Sequence, residues 1–202
     1  MQFKTLFTAS LLSGLAVAAP TEEPCTTPTA SQASGSAAPK AFGLIALRSA
    51  SDIHFARFSA SKGGFLLNLP EGKQGADCDG ESDGYATFSL NADGELLLYS
   101  TGEEQQRAYT DRSGMGQGVL QYNNNGQGLP RNAETKPWKI DESGNLVFDN
   151  SGGFVACPNG PDNSWNVWVA TGIERPGYSE KNCTGFSARV GEITKPVSCT
   201  YS

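Results

Sequence analysis

Phe88-Ser-Leu-Asn-Ala-Asp-Gly-Glu-Leu-Leu-Leu-Tyr99 sets two short apolar stretches on either side of Asp93-Gly94. Asp-Gly supplies the positive φ angles of tight primed turns, so the stretch predicts a β-hairpin. The pattern returns 50 residues later as Trp138-Lys-Ile-Asp-Glu-Ser-Gly-Asn-Leu-Val-Phe-Asp149. Phe88 then corresponds to Trp138, Leu90 to Ile140, Gly94 to Gly144, Leu96 to Leu146 and Leu98 to Phe148. A fainter copy lies 43 residues upstream, with Ile45, Leu47, Ser51, Ile53 and Phe55 in the same places but no turn glycine.

Three hairpins at these spacings predict an all-β domain of β-trefoil type, three lobes about a pseudo-threefold axis. A β-sandwich or open barrel is the alternative, since hairpins with Asp-Gly or Ser-Gly turns occur in both. Further strands are expected at Phe65–Leu69, Gly118–Tyr122, Trp165–Val169 and Phe186–Val190. In Trp165–Val169, alternation places Trp165, Val167 and Val169 on one face and Asn166 with Trp168 on the other.

Outward from these strands, the N-terminus reads as processing and linker sequence. Lys4, the apolar run Leu6–Val17 and the small residues Ala16-Val17-Ala18 form the three regions of a secretory signal peptide, assigned to residues 1–18. The apolar run is about a dozen residues, short of the roughly 20 that span a bilayer. Residues 19–41 are dense in Ser, Thr, Pro and Ala, and cannot bury enough apolar surface to offset their ordering entropy. They are expected to be a flexible linker open to O-glycosylation, leaving 42–202 as one domain with a core of its own.

The chain carries 15 Lys and Arg against 21 Asp and Glu, a formal charge of −6 that becomes −7 once Lys4 is removed. An acidic surface is poorly suited to phosphate backbones or anionic membranes, so neither nucleic acid nor membrane is an expected partner. Secretion places the cysteines in an oxidising compartment. With Cys25 in the linker, Cys78, Cys157, Cys183 and Cys199 remain to form two disulfides, and three pairings are open. Asn182-Cys183-Thr184 is an N-glycosylation sequon whose middle residue is one of those cysteines.

No catalytic, cofactor-binding or metal-binding residue is assigned. His54, the single histidine, lies between Ile53 and Phe55 in an alternating stretch and is expected to face solvent without a partner base. Asp111-Arg-Ser-Gly-Met-Gly-Gln-Gly118 lacks the glycine two places before the serine that a nucleophile elbow requires, and has no phosphate-loop lysine. It reads as a glycine-rich bend with Arg112 paired to a carboxylate or carbonyl. Asp77-Cys-Asp-Gly-Glu-Ser-Asp-Gly84 spaces acidic residues like a calcium loop, but the twelfth position is Phe88 or Leu90 instead of glutamate. No rule selects a glycosidase pair from the acidic residues. For carbohydrate stacking, Tyr99, Tyr109, Tyr122, Trp165 and Trp168 are available, with Trp165 and Trp168 the foremost candidates. The Gln-x-Trp signature of ricin-type lobes is absent, and Asn166-Val-Trp168 is its distant echo.

Six blocks carry a family resemblance: Ala46–Phe55, Thr110–Gly118, Asn145–Asp149, Ala156-Cys-Pro-Asn159, Phe186–Val190 and Lys195–Ser202. In this order they resemble the PhiA cell wall proteins of filamentous fungi, although the Ser/Thr-rich stretch 21–41 is longer than is usual there. The resemblance implies a secreted, non-enzymatic wall protein needed for phialide and conidium development, with IgE-binding relatives and no catalytic residues to carry over. Its expected partners are wall polysaccharide or wall proteins. A lectin-like module that binds wall polysaccharide is the alternative.

Overall fold

The computed structural model describes residues 40–103, 105–124 and 127–202. The signal peptide, Cys25 and all of the linker except its last two residues lie outside them. Of those two, Ala41 is buried and its carbonyl accepts a hydrogen bond from the Ile193 N–H at 3.0 Å.

In chain order the strands are β1 (Phe42–Leu47), β2 (Phe58–Ser61), β3 (Gly64–Leu67), β4 (Ala76–Cys78), β5 (Phe88–Leu90), β6 (Leu96–Leu98) and β7 (Ala108–Asp111). They continue with β8 (Val119–Tyr122), β9 (Trp138–Ile140), β10 (Asn145–Phe148), β11 (Phe154–Cys157), β12 (Trp165–Val169), β13 (Thr184–Glu192) and β14 (Cys199–Tyr201). The helical segments among the described residues are two single 3-10 turns, Pro161–Asn163 and Pro176–Tyr178. No helix of the described residues is long and apolar enough to cross a membrane.

The expectation of an all-β domain holds. Every named pairing is antiparallel, and the spine of the large sheet runs β2-β3-β8-β12-β11-β13-β1-β5-β6. Strand β13 joins its two halves. Thr184, Gly185 and Phe186 pair with β11, while the stretch from Ser187 to Glu192 pairs with all of β1. The sheet curls until one bridge, Leu97 to Arg107, links β6 towards β7, which itself pairs with β8. A separate two-stranded ribbon, β4 with β14, carries the C-terminus.

Both strong hairpins form in the expected register: Phe88 pairs with Leu98 and Leu90 with Leu96, as Trp138 does with Phe148 and Ile140 with Leu146. Their turn differs from the expected primed type. Asn91 and Glu95 still pair, Gly94 N–H donates to the Asn91 carbonyl, and Gly94 has φ of 76°, while Asp93 stays out of the left-handed region. This is a three-residue loop ending in a left-handed glycine. The cause is the residue before the loop. Asn91 Oδ1 accepts from the Glu95 N–H at 2.8 Å, and Asp141 Oδ1 does the same for Asn145 at 2.8 Å.

The third copy, on which the three-lobed arrangement rested, does not form a hairpin. Strand β1 ends at Leu47, and the chain passes through a turn until Arg57 bridges back to Ile45. Ile53 enters the core and Phe55 faces solvent, so alternation fails there and His54 does not lie in a strand.

The core is aromatic. Phe58 meets Phe88, Phe154 and Phe186 with ring centroids 6.0 to 6.3 Å apart, and Trp138 stacks on Phe154 at 6.3 Å with the planes 9° apart. Tyr122 and Tyr201 extend the cluster towards the C-terminal ribbon. Gln106 ties that ribbon down inside the fold: its amide donates to the Tyr201 carbonyl and accepts from the Tyr201 N–H, both at 2.7 Å.

Candidate functional site

The Asp111–Gly118 run is the loop between β7 and β8. It folds on itself, with the Gly118 N–H donating to the Asp111 carbonyl at 2.7 Å and the Val119 N–H to Gly116 at 2.9 Å. Asp111 Oδ1 accepts from the Ser113 N–H. These bonds direct Arg112 towards two carboxylates. Glu134 is brought alongside by a backbone bridge to Thr110, and Asp149 follows directly on β10.

The guanidinium donates to Glu134 in a fork, Nε to Oε1 at 3.0 Å and Nη2 to Oε2 at 2.6 Å. It also donates from Nη1 and Nη2 to Asp149 Oδ2 at 3.3 Å. Its Cζ lies over the Phe148 ring, 5.0 Å from the centre. Planar fork and aromatic floor together suit arginine and not lysine.

Around this group is an open cleft of about 670 Å³, lined also by Ser113, Asn150, Ser151 and Thr171. The Arg112 hydrogen bond holds Glu134 below the usual carboxylate range, and Glu134 in turn raises Arg112. General acid catalysis of glycoside cleavage needs a carboxyl that keeps its proton. Here the fixed cation favours the charged form of Glu134, which suits hydrogen bonding better than proton donation. The lining contains neither His nor Cys.

Linkage makes this cluster acid-sensitive. A carboxylate with a lowered folded pKa contributes stability above its unfolded value, about 4.3, and loses it as the pH falls through the folded value. Arg112→Met is expected to cost about 1 kcal/mol at pH 7, since the pair is about one-third exposed. Denaturant midpoints of the two proteins should converge as the pH falls through the lowered folded value of Glu134, below which it is protonated in both states. A constant gap down to pH 2 would show that the loss is packing against Phe148 instead.

Cys78 is bonded to Cys199 and Cys157 to Cys183. Asn182 is exposed immediately before the bridged Cys183. Trp165 is half-buried and packs on the core, beside the buried Val167 and Val169. Trp168 is half-buried on the outer face. A Cβ at Gly177 would lie 2.6 Å from its Cζ2, so the Pro176–Tyr178 turn covers one edge of the ring. Tyr109 and Tyr122 are buried and Tyr99 is half-buried.

In the acidic loop, Asp83 pairs with Arg57 at 2.7 Å, and Arg57 lies 4.0 Å over Tyr85. No three acidic, His or Cys side chains among the described residues converge on a common centre. The sequence predicts a carboxylate or a carbonyl as the partner of Arg112 and singles out neither residue. The signal that could have done so is the pair of acids flanking the second hairpin, Glu134 before β9 and Asp149 after β10.

No solved structure matches this chain. The chain is 45% identical over 166 residues to a cell wall protein phiA of Emericella nidulans, covering 81% of this chain and 87% of that one. Proteins of the same name from Aspergillus fumigatus and Aspergillus niger are each 38% identical, over 163 and 161 residues. Those matches cover 81% and 80% of this chain and 85% of each relative. The model of a family described as PhiA-like secreted protein matches residues 42–202, the whole of the all-β domain, and the chain belongs to that family.

Proposed function

We propose that this is a secreted, non-enzymatic fungal cell wall protein that acts in phialide and conidium development. The observation that carries the reading is the match across 42–202 to a secreted family whose relatives are named cell wall proteins. Its support in the chemistry is the Arg112 cluster, where both carboxylates are held by one guanidinium and Glu134 is kept ionised. The developmental role rests on the resemblance to PhiA proteins, because a fold of this kind does not by itself specify a process.

The division into signal peptide 1–18, linker 19–41 and domain 42–202 belongs to the same proposal. Deletion of the coding sequence is expected to disturb phialides and conidia, with the protein recovered from wall extracts of the parent strain. Protein found inside the cell, together with normal conidia in the deletion strain, would overturn the reading. Purified protein should release no reducing sugar from chitin, β-glucan or mannan. Release that Glu134→Gln abolishes would make it a hydrolase.

A second reading, binding to wall polysaccharide, is favoured by an aromatic ring held clear of the core at Phe55.

A further inference from the structure

The turn that replaces the expected third hairpin is tightly built. Ile53 is fully buried and anchors it. The Ser51 hydroxyl donates to the Arg48 carbonyl at 2.8 Å, the His54 N–H to Ser51 at 3.1 Å, and the Ala56 N–H to Ile53 at 3.0 Å. From outside the turn, the Asn68 amide donates to the Asp52 carbonyl at 3.0 Å, and the Phe55 N–H to Ala46 at 2.8 Å. These bonds hold Phe55 at φ of 65°, a left-handed backbone that a bulky aromatic residue rarely adopts. They leave its side chain 67% exposed.

Both features work against stability. Asparagine or glycine would sit there with less strain, and a ring in water gains nothing from the core. Strain held in place by its surroundings at an exposed aromatic residue points to a role for the ring outside the fold.

The surroundings indicate what that is. The His54 ring lies 3.8 Å from Phe55, tilted by 32°. Its Nδ1 accepts the Arg48 N–H at 3.1 Å, which places the ring proton on Nε2 as a donor. Arg48 and Asp52 are exposed beside it, one of each charge. A flat apolar face bordered by hydrogen-bonding groups, without excess charge, matches the C–H face and hydroxyls of a pyranose. A single ring is far smaller than the roughly 800 Å² per partner that a stable protein interface buries.

Resting on the polysaccharide-binding reading, we propose that the Arg48–Phe55 turn is a stacking site for a neutral wall polysaccharide, with Phe55 as its platform and His54 as its flanking donor. The test is co-sedimentation of the secreted full-length protein with insoluble β-1,3-glucan and with chitin, competed by soluble oligosaccharides of each. Wild type should bind one polymer saturably. Phe55→Ala and Phe55→Asn should each weaken that binding at least tenfold, and Phe55→Asn should melt no lower than wild type because asparagine tolerates the left-handed backbone. Tyr178→Ala, which removes a ring 84% exposed elsewhere, should bind as wild type does.

If wild type binds neither polymer, the reading and the site both fall. If it binds and Phe55→Ala binds equally well, the reading stands and the site falls. An equal loss in Tyr178→Ala would indicate general adhesion of exposed rings and overturn the proposal. So would a loss of self-association in Phe55→Ala without any change in glucan or chitin binding.

Discussion

Replacing Cys78 and Cys199 together by serine is expected to destabilise the domain by about 5 kcal/mol, the loop-closure value for a separation of 121 residues. In a domain of this size that is a fall in melting temperature of roughly 10–20 °C. The bond joins β4 to β14, and three residue pairs are all the sheet pairing that ribbon has. With the bond gone, the ribbon is still tied by Gln106 on the Tyr201 backbone, by the Tyr122 hydroxyl, which donates to the Ser202 carbonyl at 2.6 Å, and by the Gly63 N–H, which donates to the same carbonyl at 3.1 Å.

The matching change at Cys157 and Cys183 closes a separation of 26, and by the same relation should cost about 3.5 kcal/mol. Urea unfolding of the two double variants against wild type measures both. If the shorter loop proved the costlier, chain entropy would not be the main source of stabilisation.

Trp138→Ala is expected to cost 3–5 kcal/mol, the range for emptying a large aromatic site in a packed core. Trp138 is 2% exposed, lies parallel to Phe154 and is 4.6 Å from Phe148. The backbone N–H of Trp138 donates to the Gly94 carbonyl at 2.8 Å, so the second hairpin is fastened to the turn of the first. Phe148 is the floor beneath Arg112, and its loosening should reach the Arg112–Asp149 contact. Trp138→Phe should retain most of the stability, because it keeps much of the ring volume and removes an indole N–H that is buried without a partner. Chemical denaturation of both variants decides the matter; a loss below about 1 kcal/mol for the alanine variant would remove Trp138 from the core's main contacts.

The two strong hairpins were legible because the same local chemistry is written twice. An Asx residue captures the N–H four places on, and a glycine three places on takes the left-handed backbone. Their loop is not the primed turn that Asp93-Gly94 predicts, because the residue that sets it is Asn91 in the first hairpin and Asp141 in the second. The upstream copy has the apolar spacing without either device. Its isoleucine therefore plugs a turn, and Phe55, expected in the strand face, is turned out.

Disulfide pairing was not legible, since Cys78 and Cys199 meet only through a ribbon spanning most of the domain. Neither were the partners of Arg112, which come from 22 and 37 residues away through a backbone bridge and the end of β10. The aromatic candidates read from the sequence, Tyr99 apart, are strand residues. A strand gives every second side chain to the core, and Tyr109 and Tyr122 went there.

The pairing of β1 with β13 also has a consequence for biosynthesis. Phe42 finds its partner at Glu192 and Leu47 at Ser187, so the first strand to emerge waits for nearly the last. While the polypeptide is being exported, Phe-Gly-Leu-Ile-Ala-Leu stays an unpaired apolar segment, able to associate with other nascent chains. Such distant pairing slows folding, because the intervening loop must close before any contact rewards it. The sheet is completed only when synthesis has nearly ended, so that hexapeptide lacks its main partner until then.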